Sequence, residues 1–180
     1  MNRLFLVFLF LFGCSYSING TNQSVEEAFS FLENNLNNSF FQGEIRINQS
    51  IIGRTSFRFE NGHYLYGQGI CIYLVDENKK DLGFALVRLQ NNQIRIAQLR
   101  SNSGQGKGIG TGLIAIVAEL ARHLGAEKID LSSTTSAIEF YKKIGFLHGE
   151  PSLISEHPMY LNLNNEIFLN RAKKMGYFND

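Results

Sequence analysis

The residues best suited to chemistry are concentrated in one octapeptide, Gln105-Gly106-Lys107-Gly108-Ile109-Gly110-Thr111-Gly112, lying between a strand pattern and a long helical pattern. That arrangement is an anion site. Its glycines let the backbone approach a phosphate closely, and the first N–H groups of the following helix have no internal partner. The positive end of the helix dipole adds about 0.3–1 kcal/mol for an anion at an exposed terminus. Lys107 and the Thr111 hydroxyl offer further donors.

Two common phosphate patterns do not fit. A Walker A loop needs Gly-x-x-x-x-Gly-Lys-Ser/Thr, but Lys107 is followed by Gly108, and Ser101 stands where the first glycine belongs. A dinucleotide fingerprint needs Gly-x-Gly-x-x-Gly. Starting at Gly104, Gly106 or Gly108, its last position falls on Ile109, Thr111 or Leu113. Asp130 lies where a ribose-binding acid would sit, a single coincidence in favour of a nicotinamide cofactor.

The pattern Arg/Gln-x-x-Gly-x-Gly/Ala is filled by Gln105, Gly108 and Gly110. The stretch Ser136–Phe146 then supplies Ala137, Phe140, Tyr141, Gly145 and Phe146 in the order Ala, then Tyr-x-x-x-Gly-Phe. Together these resemble the Gcn5-related N-acetyltransferase (GNAT) family. The motif resemblance covers Ile94–Phe146 and extends in pattern to Leu163. Over Ser24–Arg88 it is one of fold pattern alone.

The resemblance implies acetyl-CoA as co-substrate and a primary amine as acceptor, with no metal. It implies that backbone amides along Gly106, Lys107, Gly108, Ile109, Gly110, Thr111 and Gly112, with Gln105, hold the pyrophosphate. The strand end Leu99–Ser101 would pair with the pantetheine arm, with Thr134 and Ala137 beside it. Tyr141 would give a proton to the leaving thiolate. Attack of a neutral amine on a thioester needs orientation, removal of the amine proton and stabilisation of an oxyanion.

The departures are specific. Thr134 replaces the Asn that the family often has three residues before the Ala. Ile94–Ser101 offers Arg95, Gln98 and Arg100 but no carboxylate, and Asn102-Ser103-Gly104 lacks an aromatic. The general base is therefore open among Glu44, Glu60, His63 and Asp130. Arg95 and Arg100, taken as sharing a strand face, either favour an acidic acceptor or sit in water. His148 and His157 read as surface residues rather than metal ligands. Lys142-Lys143 and Lys173-Lys174 read as solvated faces.

The elements that must position these groups follow from periodicity. Ser24 and Glu27 form a capping box before Val25, Ala28, Phe29 and Leu32, predicting a helix stopped by Asn34–Ser39. Alternating runs predict strands at Glu44–Asn48, Thr55–Phe59, Tyr64–Tyr66, Ile70–Val75, Phe84–Leu89 and Ile94–Leu99, with turns at Asn61-Gly62, Asp76–Asp81 and Asn91-Asn92. Leu113, Ile116, Val117, Leu120 and Leu124 form one helical stripe capped by Gly125. A strand at Lys128–Ser132, a helix at Ser136–Ile144 and strands at Phe146–His148 and Met159–Leu163 follow. A last helix, Glu166–Met175, brings Ile167, Phe168 and Met175 to one side. The sum is an α/β fold with a mixed sheet: an antiparallel meander, a βαβ unit and a C-terminal hairpin. The GNAT-like domain is expected over 21–163, with 164–180 an accessory helix.

Composition agrees with one globular domain: 180 residues, 44% hydrophobic and 18% charged, with net charge +1. Such a balance gives no reason to expect nucleic acid. With two cysteines there is no disulfide framework, and Cys71 reads as a small buried hydrophobe. Asn-x-Ser/Thr triplets begin at Asn19, Asn22, Asn37 and Asn48. Residues 1–20 read as a signal segment. Arg3 precedes the apolar run Leu4–Phe12, about 14 Å as a helix and short of a ~30 Å bilayer core. Leu11-Phe12-Gly13-Cys14 resembles a lipoprotein processing site, which implies lipidation at Cys14 and attachment to a membrane surface. An ordinary cleaved signal, or an apolar extension of a cytoplasmic protein, fits the same residues. Export would take the chain away from acetyl-CoA. Three functions therefore stand: an N-acyltransferase, a non-catalytic acyl-CoA binder, and a surface lipoprotein using the fold for binding.

Overall fold

The computed structural model describes residues 18–36, 44–47, 50–64, 67–90, 93–102, 106–151 and 157–175. Cys14, the segment around it and Gln105 lie outside these residues. Fifteen elements are arranged as α1 (Ile18–Leu36), β1 (Glu44–Ile47), β2 (Ser50–Arg54), β3 (Ser56–Tyr64), β4 (Gly67–Val75), β5 (Asp81–Gln90), β6 (Gln93–Ser101), β7 (Gly106–Lys107), α2 (Ile109–His123), β8 (Lys128–Ser132), a 3-10 turn (Thr135–Ala137), α3 (Ile138–Ile144), β9 (Leu147–His148), β10 (Pro158–Asn162) and α4 (Glu166–Lys174). A seven-stranded sheet runs in the order β3-β4-β5-β6-β8-β10-β9, and β2-β1-β7 form a small second sheet. Only β6 and β8 pair in parallel within the large sheet; its other ladders are antiparallel. The mixed α/β architecture is as the sequence implies.

Alternation explains the sheet. Ile70, Ile72 and Leu74 on β4, Ala85 and Val87 on β5, Ile94 and Ile96 on β6, and Ile129 and Leu131 on β8 are buried on one face. Val25, Ala28 and Leu32 of α1 and most of α2 close over that face. Burying a side chain such as Leu113 completely stabilises the fold by roughly 1.5–3 kcal/mol. The helix α2 is wider in its burial than the single stripe expected: Ile114, Ala115, Ala118 and Ala121 are buried with Leu113, Ile116, Val117 and Leu120. It is enclosed by the sheet, by α1 through the stacking of Phe31 on His123 at 4.3 Å, and by α4. A helix packed on several sides needs apolar residues around most of its circumference.

Four expectations are corrected. Asn61-Gly62 is not a turn; β3 continues through it, with Asn61 opposite Ile70 and Gly62 opposite Gly69. The glycine serves packing instead, since a Cβ on Gly62 would stand 2.6 Å from Leu86 Cδ1. The chain reverses between Tyr64 and Gly67, so Tyr64 ends β3 rather than starting a strand. The first helix begins at Ile18, which places Ser24 inside it; the weak formers around Gly20 cost about 1 kcal/mol at most per residue without breaking a helix. The strand β2 had no sequence signal. At the C-terminus Phe168 is buried and Met175 half-buried, but Ile167 is 59% exposed and does not join them.

Candidate functional site

The site begins where β6 and β8 stop pairing. Their ladder covers only Ile94–Ile96 against Ile129–Leu131. Beyond it, β6 runs on to Ser101 against β5 alone, so one edge of Ala97–Ser101 has no strand partner among the described residues. The register shifts between Leu86, opposite Gln98, and Val87, opposite Ile96. Ala97 is the extra residue, and such a bulge bends its strand and increases its twist. On the other wall, Ser133 N–H is held by the His157 carbonyl at 2.9 Å. The result is a cleft with open backbone groups on β6, and Leu99 and Ser101 lie on that open stretch. Leu99 is half-buried against the core and Ser101 is exposed.

At the top of β6 the chain passes through β7 into α2. The N-terminal residue of α2 is capped by Gly108 at φ 109°, a left-handed conformation that suits glycine. No side chain caps this end, and its first turn holds no acidic residue. The Gly112 N–H donates to the Gly108 carbonyl at 2.8 Å, so the helix itself takes that group. The amides of Ile109, Gly110 and Thr111 are the ones a helix leaves without internal partners. Gly106 and Lys107 pair with Ile47 and Arg46 of β1, so part of the loop backbone belongs to the small sheet. The Ile109 side chain is fully buried.

The Thr111 hydroxyl is 1% exposed and accepts from Arg171 Nε of α4 at 3.4 Å. Arg171 has no acidic partner among the described residues, and its guanidinium lies beside the first turn of α2. Sequence reasoning missed it because α4 stands outside both motifs; only its packing on α2 and α3 brings it here. Met175 and Phe140 also border this turn. A Cβ on Gly108 would stand 2.5 Å from Met175 Cε, and one on Gly110 2.5 Å from Phe140 Cζ.

Tyr141 sits on α3 with its ring against Phe140 at 5.1 Å and Phe146 at 5.3 Å. It is 8% exposed, and its hydroxyl has no hydrogen-bond partner among the described residues. Burial pushes the phenol above the usual tyrosine value, keeping it protonated. Gly145, at φ 112°, ends α3 and receives a hydrogen bond from Asn165 Nδ2 on its carbonyl at 3.2 Å. Thr134 and Ala137 flank the 3-10 turn between cleft and α3. Thr134 Oγ1 lies 3.2 Å from Ser136 Oγ, and Ala137 N–H donates to the Thr134 carbonyl at 3.0 Å. His157 bonds Thr135 Oγ1 through Nε2 at 3.1 Å.

The proposed bases separate. Glu60 accepts from Tyr73 OH at 2.6 Å and from Arg58 at 3.2 Å, three strands from Gln98, so it is both engaged and remote. Asp130 lies on β8 next to Arg95 of β6, 3.4 Å from Lys128 Nζ. The side chains of Glu44 and His63 lie outside the described set. Arg95 and Arg100 do share a face: their odd separation would oppose them in a regular strand, and the bulge at Ala97 restores the match. Among the described residues no group of three His, Cys, Asp or Glu side chains comes together, and no helix is long and apolar enough to cross a membrane.

A model of the acetyltransferase (GNAT) family matches residues 11–146. Similar solved structures include an acetyltransferase of the GNAT family from Staphylococcus aureus Mu50. It is 18% identical, with 83% of this chain and 96% of that chain covered, at a TM-score of 0.47. A Bacillus subtilis acetyltransferase in complex with CoA is 17% identical over 59% of this chain and 99% of its own, with a TM-score of 0.45. The PaiA N-acetyltransferase of Thermoplasma acidophilum, in complex with coenzyme A, is 18% identical over 51% of this chain and 59% of its own, with a TM-score of 0.46. Comparison with curated proteins finds no match. With the family model spanning both motifs, the cleft and α2, this chain belongs to the GNAT acetyltransferase family.

Proposed function

We propose that the chain is an N-acyltransferase that moves an acetyl group from acetyl-CoA to a primary amine of a small molecule or protein. The observation that carries the reading is the open edge of β6 leading to a helix N-terminus with no side-chain cap and no acidic residue in its first turn. A strand edge suits the amide groups of a pantetheine arm, and the helix end suits a pyrophosphate. Arg171 adds a cation beside that turn.

Acetyl-CoA, when bound, supplies a thioester whose C–S bond breaks as the amine forms a C–N bond. The β6 edge and the α2 amides orient that thioester. Tyr141, held neutral by burial, gives its proton to the departing sulfur and regains one released by the amine through solvent. Asp130 is the candidate base that lies beside β6. The absence of a carboxylate on β6 itself favours, as second reading, an acyl-CoA binder without turnover. Attachment to a membrane through a lipidated Cys14 belongs to the same proposal; metabolic labelling with a fatty acid, lost in Cys14→Ser, tests it.

The decisive measurement is calorimetric titration of acetyl-CoA into the full-length protein. Micromolar binding, about −8 kcal/mol, is expected. A folded protein that shows no heat would sink both the enzyme and the binder. Tyr141→Phe separates these two: an enzyme loses turnover while keeping affinity.

A further inference from the structure

The sheet face turned away from α2 holds a polar cavity of about 520 Å³. Its floor is one row across four strands: Arg88 on β5, Arg95 on β6, Asp130 on β8 and Tyr160 on β10, each opposite the next. The alternate residues Val87, Ile94, Ile96, Ile129, Leu131 and Leu161 are buried in the core, which directs the row to the other side. Lys128 and Glu150 complete the charged lining.

The charges in this cavity are unevenly matched. Asp130 is engaged by Lys128 at 3.4 Å, and Lys128 also stands over the Tyr160 ring at 5.7 Å. Arg95 is half-buried and makes no ion pair among the described residues. It stands directly across from Arg88, where like charges on neighbouring strands repel. The Arg95 guanidinium, in a partly enclosed space, offers a planar fork of donors for a carboxylate or another oxyanion. Their position relates to the reaction. Arg95 lies two residues before the bulge at Ala97, about 7 Å along the strand. Pro158, which also lines the cavity, stands opposite Ser132 at the end of β8, level with the mouth of the cleft.

We propose that this cavity receives the acceptor, and that the acceptor is a small amine carrying an anionic group, with Arg95 selecting the anion. The inference rests on the acyltransferase reading and extends it to the substrate class. Arg95 binds the oxyanion, leaving the amine to reach toward Ala97 and the cleft. Asp130 and Glu150 face the same space and favour an ammonium approaching beside the anion.

The test uses the full-length protein, acetyl-CoA and matched amines: amino acids against their amides, and phosphoethanolamine against ethanolamine, followed by thiol release. An amide lowers the basicity of its neighbouring amine, so without recognition of the anion the amides react faster. We expect at least a ten-fold preference in kcat/KM for one or both anionic series, falling toward parity in Arg95→Gln. Equal or better turnover of the neutral partners, or a preference that survives in Arg95→Gln, overturns the proposal. Acetyl-CoA titration reports separately on the donor site. Should that site fail, thermal shifts without CoA still decide the cavity. N-acetyl amino acids should stabilise the protein more than N-acetyl amino acid amides, the difference vanishing in Arg95→Gln; no difference in the wild type overturns the assignment.

Discussion

Replacing Tyr141 by Phe removes one hydroxyl and leaves the packing of the ring in place. The ring keeps its edge contacts with Phe140 and Phe146, and the lost oxygen has no partner among the described residues. Deleting an oxygen that satisfies nothing strands no other polar group, so stability should change by no more than about 0.5 kcal/mol. In a domain of this size that is about 1–2 °C in Tm. A positioned general acid contributes about 10²–10⁴ in rate, equivalent to roughly 3–5 kcal/mol of barrier. The assay is thiol release from acetyl-CoA with any amine that supports turnover, together with a thermal scan of both proteins. A fall in kcat of a hundred-fold or more, with Tm and acetyl-CoA affinity unchanged, is the expected outcome. A variant with kcat within two-fold of wild type would refute the acid role. A Tm lowered by many degrees would show that the hydroxyl is structural.

The same phenol has a pH signature. Its folded pKa is raised by burial, so the associated stability is present below the ordinary tyrosine value of about 10 and is lost as pH rises through the higher folded value. Tyr141 should therefore impose no alkaline fall in kcat below pH 10; a tyrosine-dependent fall near pH 8 would contradict this. Gly108→Ala forces a side chain into φ 109° and against Met175. It should cost about 1–2 kcal/mol, lowering Tm by about 2–8 °C, and most of the loss should persist in a Met175→Ala background. An unchanged Tm would mean the turn relaxes freely. Asn165→Ala removes the cap that accepts from Phe168 N–H at 3.1 Å and the donor to the Gly145 carbonyl. A loss of about 1–2 kcal/mol is expected, with Asn165→Asp intermediate because it keeps the cap acceptor; chemical denaturation compares the three proteins.

The sequence alone determined the glycine-rich loop, the helix behind it and the meander before it. Glycine spacing and apolar periodicity are local properties, and Gly125, read from the sequence as a helix cap, is left-handed at φ 72°. Cys71 proved buried, as a small apolar residue within an alternating strand should be. Register was not legible. Asn61-Gly62 has the composition of a turn, yet pairing between β3 and β4 carries the strand through it, because nine residue pairs outweigh one local preference. The bulge at Ala97 likewise leaves no mark in composition, although it decides which way Arg100 faces. Residues distant in sequence met only in three dimensions: Arg171 with Thr111, and Arg88, Arg95, Asp130 and Tyr160 along one row. A motif fixes what a segment can do by itself. Which strands adjoin, and which charges therefore share a cavity, is set by packing across the whole sheet.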